Sequence, residues 1–223
     1  MLKRNILFLL LFFSYFSWCQ TNPFPVSNSN LIITMSPNTI DQGNKIEGSQ
    51  YIINQFLPSS FSCVSENTPP IRYNVYKEEM EFMFEGKLYY LNKYDNCEIT
   101  LLNNTYKYFN NYDNKNNNGY LVILNKSNIS KYILYKKEKI KFVPEYIPTS
   151  TYAEERPAKY VIEKSKYFLK DQDKMIEFPE RKSELLKLFP NNKDAVDLFL
   201  KENKIKLNEE NSLLLLINFL NSL

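Results

Sequence analysis

Residues 71–92 read Ile-Arg-Tyr-Asn-Val-Tyr-Lys-Glu-Glu-Met-Glu-Phe-Met-Phe-Glu-Gly-Lys-Leu-Tyr-Tyr-Leu-Asn, the densest run of aromatic and β-branched side chains beyond the N-terminal leader. Such residues suit a pleated, half-buried surface, so the run predicts antiparallel β-structure. Glu85-Gly86 marks a hairpin reversal, because glycine tolerates the positive φ of a tight turn, and residues 87–91 return as the partner strand. Ahead of that turn the apolar positions change parity. Ile71, Tyr73 and Val75 are odd, whereas Met80, Phe82 and Phe84 are even. A strand alternates faces with period two, so one uninterrupted strand cannot bury both sets on one side. A bulge or corner near residues 76–78 is expected, as in a strongly curved sheet or small barrel.

Working outward, residues 48–56 enter the folded body and 57–70 connect to the hairpin, ending in a double proline that forbids helix. Short strands are expected at 98–102 and 105–109, followed by the Asn-rich tract 110–119. That tract resembles a calcium loop only superficially, because Lys115 stands at a ligand position, Asn118 at the glycine position and Leu124 where the bidentate acid belongs. It is read as a solvated loop. Residues 120–124 and 132–142 form a second hairpin, made basic by Lys136, Lys137, Lys139 and Lys141, which are read as solvated edge residues. Residues 144–157 break the pattern and 159–169 with 174–178 form a third hairpin. After Pro179 the periodicity becomes helical, with three helices over 180–189, from Asn191/Asn192 to about 202, and from Asn208 to 220. The Leu213–Ile217 run is apolar all round but too short to span a membrane, so it is expected to dock on the body. The predicted class is α+β: a curved, mostly antiparallel sheet or small open barrel followed by a short C-terminal helical segment. Its divisions are a signal segment (1–19), a polar leader (20–47) holding one short strand at 31–35, a β domain (48–178) and the helices (179–223).

The leader sets the compartment. Lys3 and Arg4 precede an apolar run at 6–13, the pattern of a secretory signal. Ser17 and Cys19 fit type I cleavage before Gln20; alternatively Cys19 is the lipidated first residue of an outer-membrane lipoprotein. The bulk of Trp18 favours the former. Losing Lys3 and Arg4 takes the net charge from +3 to +1, which gives no basis for nucleic-acid binding. Cys63 and Cys97 then remain, either as a disulfide stabilising by about 3–4 kcal/mol or as two buried thiols.

The chain resembles a group of uncharacterised exported proteins of Bacteroidota. The resemblance rests on Gly48-Ser49-x-Tyr51-Ile52-x-x-x-Phe56, on Arg72-Tyr73-Asn74-x-Tyr76-x-x-Glu79-Met80-Glu81, and on the Lys-rich stretches 185–189 and 201–204. It implies export and architecture and brings no activity with it.

With no histidine in the chain, Ser-His and Cys-His nucleophilic systems and His-ligated zinc are excluded. Only four glycines leave no phosphate-cradling loop or dinucleotide fingerprint, and no cofactor is expected. The remaining catalytic arrangement is a carboxylate pair, Glu79 and Glu81, on one strand face about 6–7 Å apart. Outward-facing acids on an amphipathic strand are far commoner. Arg72 and Asn74 sit just before the parity change, where they either bind a ligand or pair with Glu78 or Glu79 to fix the bend. Tyr106, Tyr108 and Tyr112 beside the Asn-rich loop either stack on a partner or pack the hairpin. The expectation is a non-enzymatic envelope module that binds a protein, a glycan or a small apolar ligand, without nucleic acid and without a transmembrane span in the mature chain. The alternative is a carboxylate-dependent hydrolase of envelope polysaccharide.

Overall fold

The computed structural model describes residues 34–35 (backbone only), 46–63, 68–126, 130–148, 154–172 and 174–223. The signal segment with Cys19, and most of the polar leader, lie outside them. The described residues form two open antiparallel sheets, a two-stranded ribbon and three α-helices, as the α+β reading expected, and no closed barrel forms among them.

The smaller sheet has the order β1 (Thr34–Met35), β5 (Lys87–Tyr90), β4 (Glu79–Phe84), β3 (Ile71–Asn74). Here the sequence reading needs a correction. The parity change at 75–78 is not a bulge in one strand but a reversal, and β3 pairs with β4 in the register Ile71↔Phe82, Tyr73↔Met80. An antiparallel register whose partner numbers sum to an odd value puts odd residues opposite even ones, so both apolar sets share one face. Glu78 takes the positive φ of 58° that closes this turn. The Glu85-Gly86 reversal is as expected, with φ of 49° and 73° and the register Phe84↔Lys87 of a two-residue turn.

The larger sheet has the order β13 (Lys174–Glu177), β12 (Lys166–Asp171), β9 (Tyr132–Lys137), β8 (Gly119–Ile123), β7 (Asn104–Phe109), β6 (Glu98–Leu101), β2 (Ser59–Phe61). A disulfide joins Cys63, after β2, to Cys97, before β6, with their Cα atoms 5.2 Å apart. The expected strand 132–142 is broken: β9 stops at Lys137, and β10 (Ile140–Val143) pairs with β11 (Lys159–Ile162) in a separate ribbon. The expected strand 159–169 is likewise divided into β11 and β12. Register explains both. Lys137 pairs with Lys166, but Ile140 pairs with Ile162, so 138–139 lie opposite 163–165 and one extra residue is inserted. This is a bulge. It shifts which parity on the β11–β12 strand faces the core, from Tyr160 to Tyr167 and Leu169.

Three apolar clusters hold the layers together. Ile71, Tyr73, Met80 and Phe82 meet Ile99, Tyr106, Tyr108, Tyr120 and Val122 between the sheets. Further along the larger sheet, Tyr132, Leu134 and Leu169 are covered by α1 (Lys182–Leu188), α2 (Lys193–Glu202) and α3 (Glu210–Ser222) through Leu185, Val196, Leu200, Leu213, Leu216, Ile217 and Leu220. Leu124 touches both clusters. On the opposite face a third cluster joins Leu121, Tyr135, Phe168 and Tyr112. The apolar run in α3 docks as expected, and Asn221 clamps the Tyr132 backbone, accepting from its N–H at 2.8 Å and donating to its carbonyl at 2.9 Å. Asn192 is the N-cap of α2, as expected, although without a side-chain capping bond, and the cap of α3 is Glu209, not Asn208. Among the described residues no helix is long and apolar enough to cross a membrane.

Candidate functional site

The residues singled out in the hairpin converge on one carboxylate. Glu81 is 1% exposed and accepts from Arg72 Nε at 2.8 Å, from Tyr51 Oη at 2.8 Å and from Asn74 Nδ2 at 2.9 Å. Arg72 lies between the rings of Tyr51 and Phe56, 4.1 and 4.5 Å from their centres, and donates to Asn54. Asn74 also donates to Gln50 and accepts from the Lys77 N–H inside the turn. Burial and the neighbouring Glu81 push the Tyr51 phenol well above its ordinary value. Arg72 therefore pairs with Glu81, not with Glu78 or Glu79. Tyr51, Phe56, Arg72, Asn74 and Glu81 form one knot that ties residues 50–56 to the smaller sheet. Gly48 belongs to the same seam. A Cβ there would lie 2.3 Å from the Tyr160 carbonyl oxygen, and the residue has a φ of 77°. Glu79, two residues from Glu81 along the same strand, pairs instead with Lys93 at 2.6 Å. Glu79 and Glu81 line neither of the two clefts described below.

A second buried pair crosses between the sheets. Lys137, read from sequence as a solvated edge residue, is 3% exposed and paired with Glu78. Its ammonium also donates to the Tyr120 carbonyl at 3.1 Å and to Tyr73 Oη at 3.2 Å. Glu78 Oε2 in turn accepts from Tyr73 Oη at 2.7 Å and from the Tyr120 N–H at 3.1 Å. The β8–β9 ladder pairs only Val122 and Ile123 with β9, so these side chains satisfy backbone groups of β8 that the ladder leaves open. Gly119 makes room for the pair. Desolvation lowers the Lys137 ammonium from its usual value, against the pull of Glu78.

Of the three tyrosines, Tyr106 and Tyr108 are buried between the sheets and Tyr112 packs edge-on to Phe168, with ring centres 5.2 Å apart. They do not form one exposed stacking surface. Tyr112 and Tyr106 instead border two different clefts.

The first cleft, about 190 Å³, lies beside the Asn-rich loop. Tyr112, Phe168 and Met175 form its apolar floor, while Asp113, Asn114, Lys115, Asn117, Lys139, Lys166 and Glu177 form its polar walls. The Asp113 carboxylate is occupied within the loop, accepting from Lys115 N at 3.0 Å, Asn117 N at 3.1 Å and Asn117 Nδ2 at 2.8 Å. These bonds hold its carboxyl below the usual range. Lys166 is paired with Glu177, while Lys115 and Lys139 pair with no acid among the described residues. The cleft is thus a rigid, amide-lined and net positive concavity over aromatic carbon. Burial, with Glu78 and Asp113 adding, pushes the Tyr112 phenol up to about 12, so it enters as a neutral donor.

The second cleft is smaller, about 60 Å³, and opens between the sheets. Its walls include Arg72, Asn104, Tyr106 and Glu138 among apolar side chains. Glu138 lies between β9 and β10, opposite the bulge at 163–165. Sequence reasoning missed Lys137, Glu138 and Lys139 as site residues. The available signal was the parity change between Tyr160 and Tyr167 on the partner strand.

No protein-family model, curated protein or solved structure matches the chain. Among the described residues no group of three or more acids or cysteines is placed to hold a metal ion.

Proposed function

We propose that the protein is an exported, non-enzymatic binding module of the cell envelope, and that the cleft beside the Asn-rich loop binds an acidic glycan. Export is supported by the signal-like leader and by the disulfide, which persists in oxidising compartments. The observation that carries the ligand class is the pairing of an apolar floor with two lysines that meet no acid among the described residues, Lys115 on the loop fixed by Asp113 and Lys139 between β9 and β10. Sugar rings present apolar faces and hydroxyl edges. The Tyr112–Phe168–Met175 floor suits the first, Asn114 and Asn117 suit the second, and the two lysines suit a carboxylate or sulfate on the ring. The carboxylate-pair reading required Glu79 and Glu81 to line one concave pocket, and nothing in the geometry favours it.

The test is calorimetric titration of the mature chain with a galacturonate oligomer and with a neutral maltose oligomer. Binding of the acidic oligomer alone is expected, weakened about tenfold or more in the Lys115→Ala/Lys139→Ala variant through loss of two charge-assisted contacts. Equal binding of both oligomers, or of neither, would reject the acidic-glycan reading.

A further inference from the structure

Glu138 is 7% exposed, and its one hydrogen bond among the described residues is a long one, 3.4 Å, from Tyr106 Oη. Three cations near it are matched by other acids: Arg72 by Glu81 at 2.8 Å, Lys136 by Glu210 at 2.9 Å, and Lys137 by Glu78. Glu138 itself forms no ion pair among the described residues. A buried carboxylate without a counter-ion is costly. Glu138 lies between β9 and β10, opposite the bulged residues 163–165, on the face that meets Tyr106.

The shape of the cleft narrows the ligand. Its volume of about 60 Å³ leaves room for a few water-sized groups. An ammonium and its first methylene fit. Beyond that depth the walls are Leu57, Val75 and Leu101, and the mouth carries Ile52, Ile53 and Leu102, the last 59% exposed. An apolar throat leading to a lone acid matches an alkyl chain ending in a cation. A single carboxylate, with Arg72 lining the same cleft, does not make a metal site.

We propose that this cleft binds a primary alkylammonium group, with Glu138 as its counter-ion, Tyr106 as a neighbouring hydrogen-bonding group, and Ile52, Ile53 and Leu102 packing on the alkyl chain. The site is independent of the glycan cleft and of the reading built on it.

Two-dimensional NMR titration of the isotopically labelled mature chain tests it. The probes are n-butylammonium, Nα-acetyl-lysine methylamide, and n-butanol as the uncharged control. Saturable shifts centred on residues 101–106 and 138 are expected with an amine and not with n-butanol. Butylammonium alone would assign the site to a free small amine, and the lysine derivative alone, or both, would admit a lysine side chain of a partner. Glu138→Gln is expected to weaken binding roughly tenfold or more, the loss of a charge-assisted hydrogen bond. Leu102→Lys, at an exposed turn position that leaves the core untouched, is expected to block the cleft with its own ammonium. Binding of n-butanol as well as the amines, unchanged amine binding in either variant, or no shift with either amine would overturn the proposal.

Discussion

Single residues show how far burial and charge can diverge from a sequence reading. Tyr106, Tyr108 and Tyr112 look like a stacking surface because a strand and its loop present aromatics at short spacing, yet all three are buried. Replacing them together by alanine would remove about 3–5 kcal/mol each, comparable with the whole stability of a domain, so the expected result is unfolding, seen as loss of near-ultraviolet dichroism, and not selective loss of binding. Glu138 gives a finer test. Burial raises its carboxyl above the ordinary value, so the folded protein holds that proton more tightly than the unfolded chain does. The resulting stabilisation is full below the unfolded value and is lost as pH rises through the folded value. Glu138→Gln is therefore expected to match the parent in urea unfolding near pH 4 and to be more stable at pH 8, by on the order of 1 kcal/mol. Parallel curves at both pH values would mean that the carboxylate is well solvated. At Gly119 an added Cβ would meet Glu78 Oε2 at 2.6 Å and Lys137 Nζ at 3.1 Å. Because that pair is locked between two tyrosines, Gly119→Ala is expected to cost about 1–3 kcal/mol, also measurable in urea.

Elements were legible where the pattern is local. The Glu85-Gly86 hairpin and the C-terminal helices lie where apolar period and glycine placed them. The two parity changes were not equally readable. A strand that reverses and a strand that bulges both shift the apolar set by one position, and nothing in residues 71–84 separates the two. The reversal is decided by the pairing of Arg72 and Asn74 with Glu81, and the true bulge, at 163–165, is decided by pairing with a strand more than twenty residues away. Turn chemistry supplies the test at this scale. Glu85 holds a φ of 49° that asparagine adopts more readily, so Glu85→Asn is expected to raise the melting midpoint, stabilising by about 0.5–1 kcal/mol. A lower midpoint would show that Glu85 contributes through its side chain.

In the whole molecule, the fold class followed from composition and patterning, but the division into two sheets did not, because it depends on pairings between distant strands. The Asn-rich tract was assigned as a loop correctly, while its role as a cleft wall depends on β12 and β13, which lie far along the chain from it. The Cys63–Cys97 bridge closes a sequence separation of 34 and fastens the edge strand β2 to β6. Reduction is expected to lower stability by about 3–4 kcal/mol by loop entropy, read as a shift of the urea midpoint with dithiothreitol. An unmoved midpoint would show that β2 is held without it. The clamp between Asn221 and Tyr132 spans 89 residues. During synthesis from the N-terminus, β9 emerges long before α3, and the oily patch of Tyr132, Leu134 and Leu169 stays uncovered until the last helix arrives. A nascent chain of this design keeps apolar surface open late in its making, until that final helix can take its place.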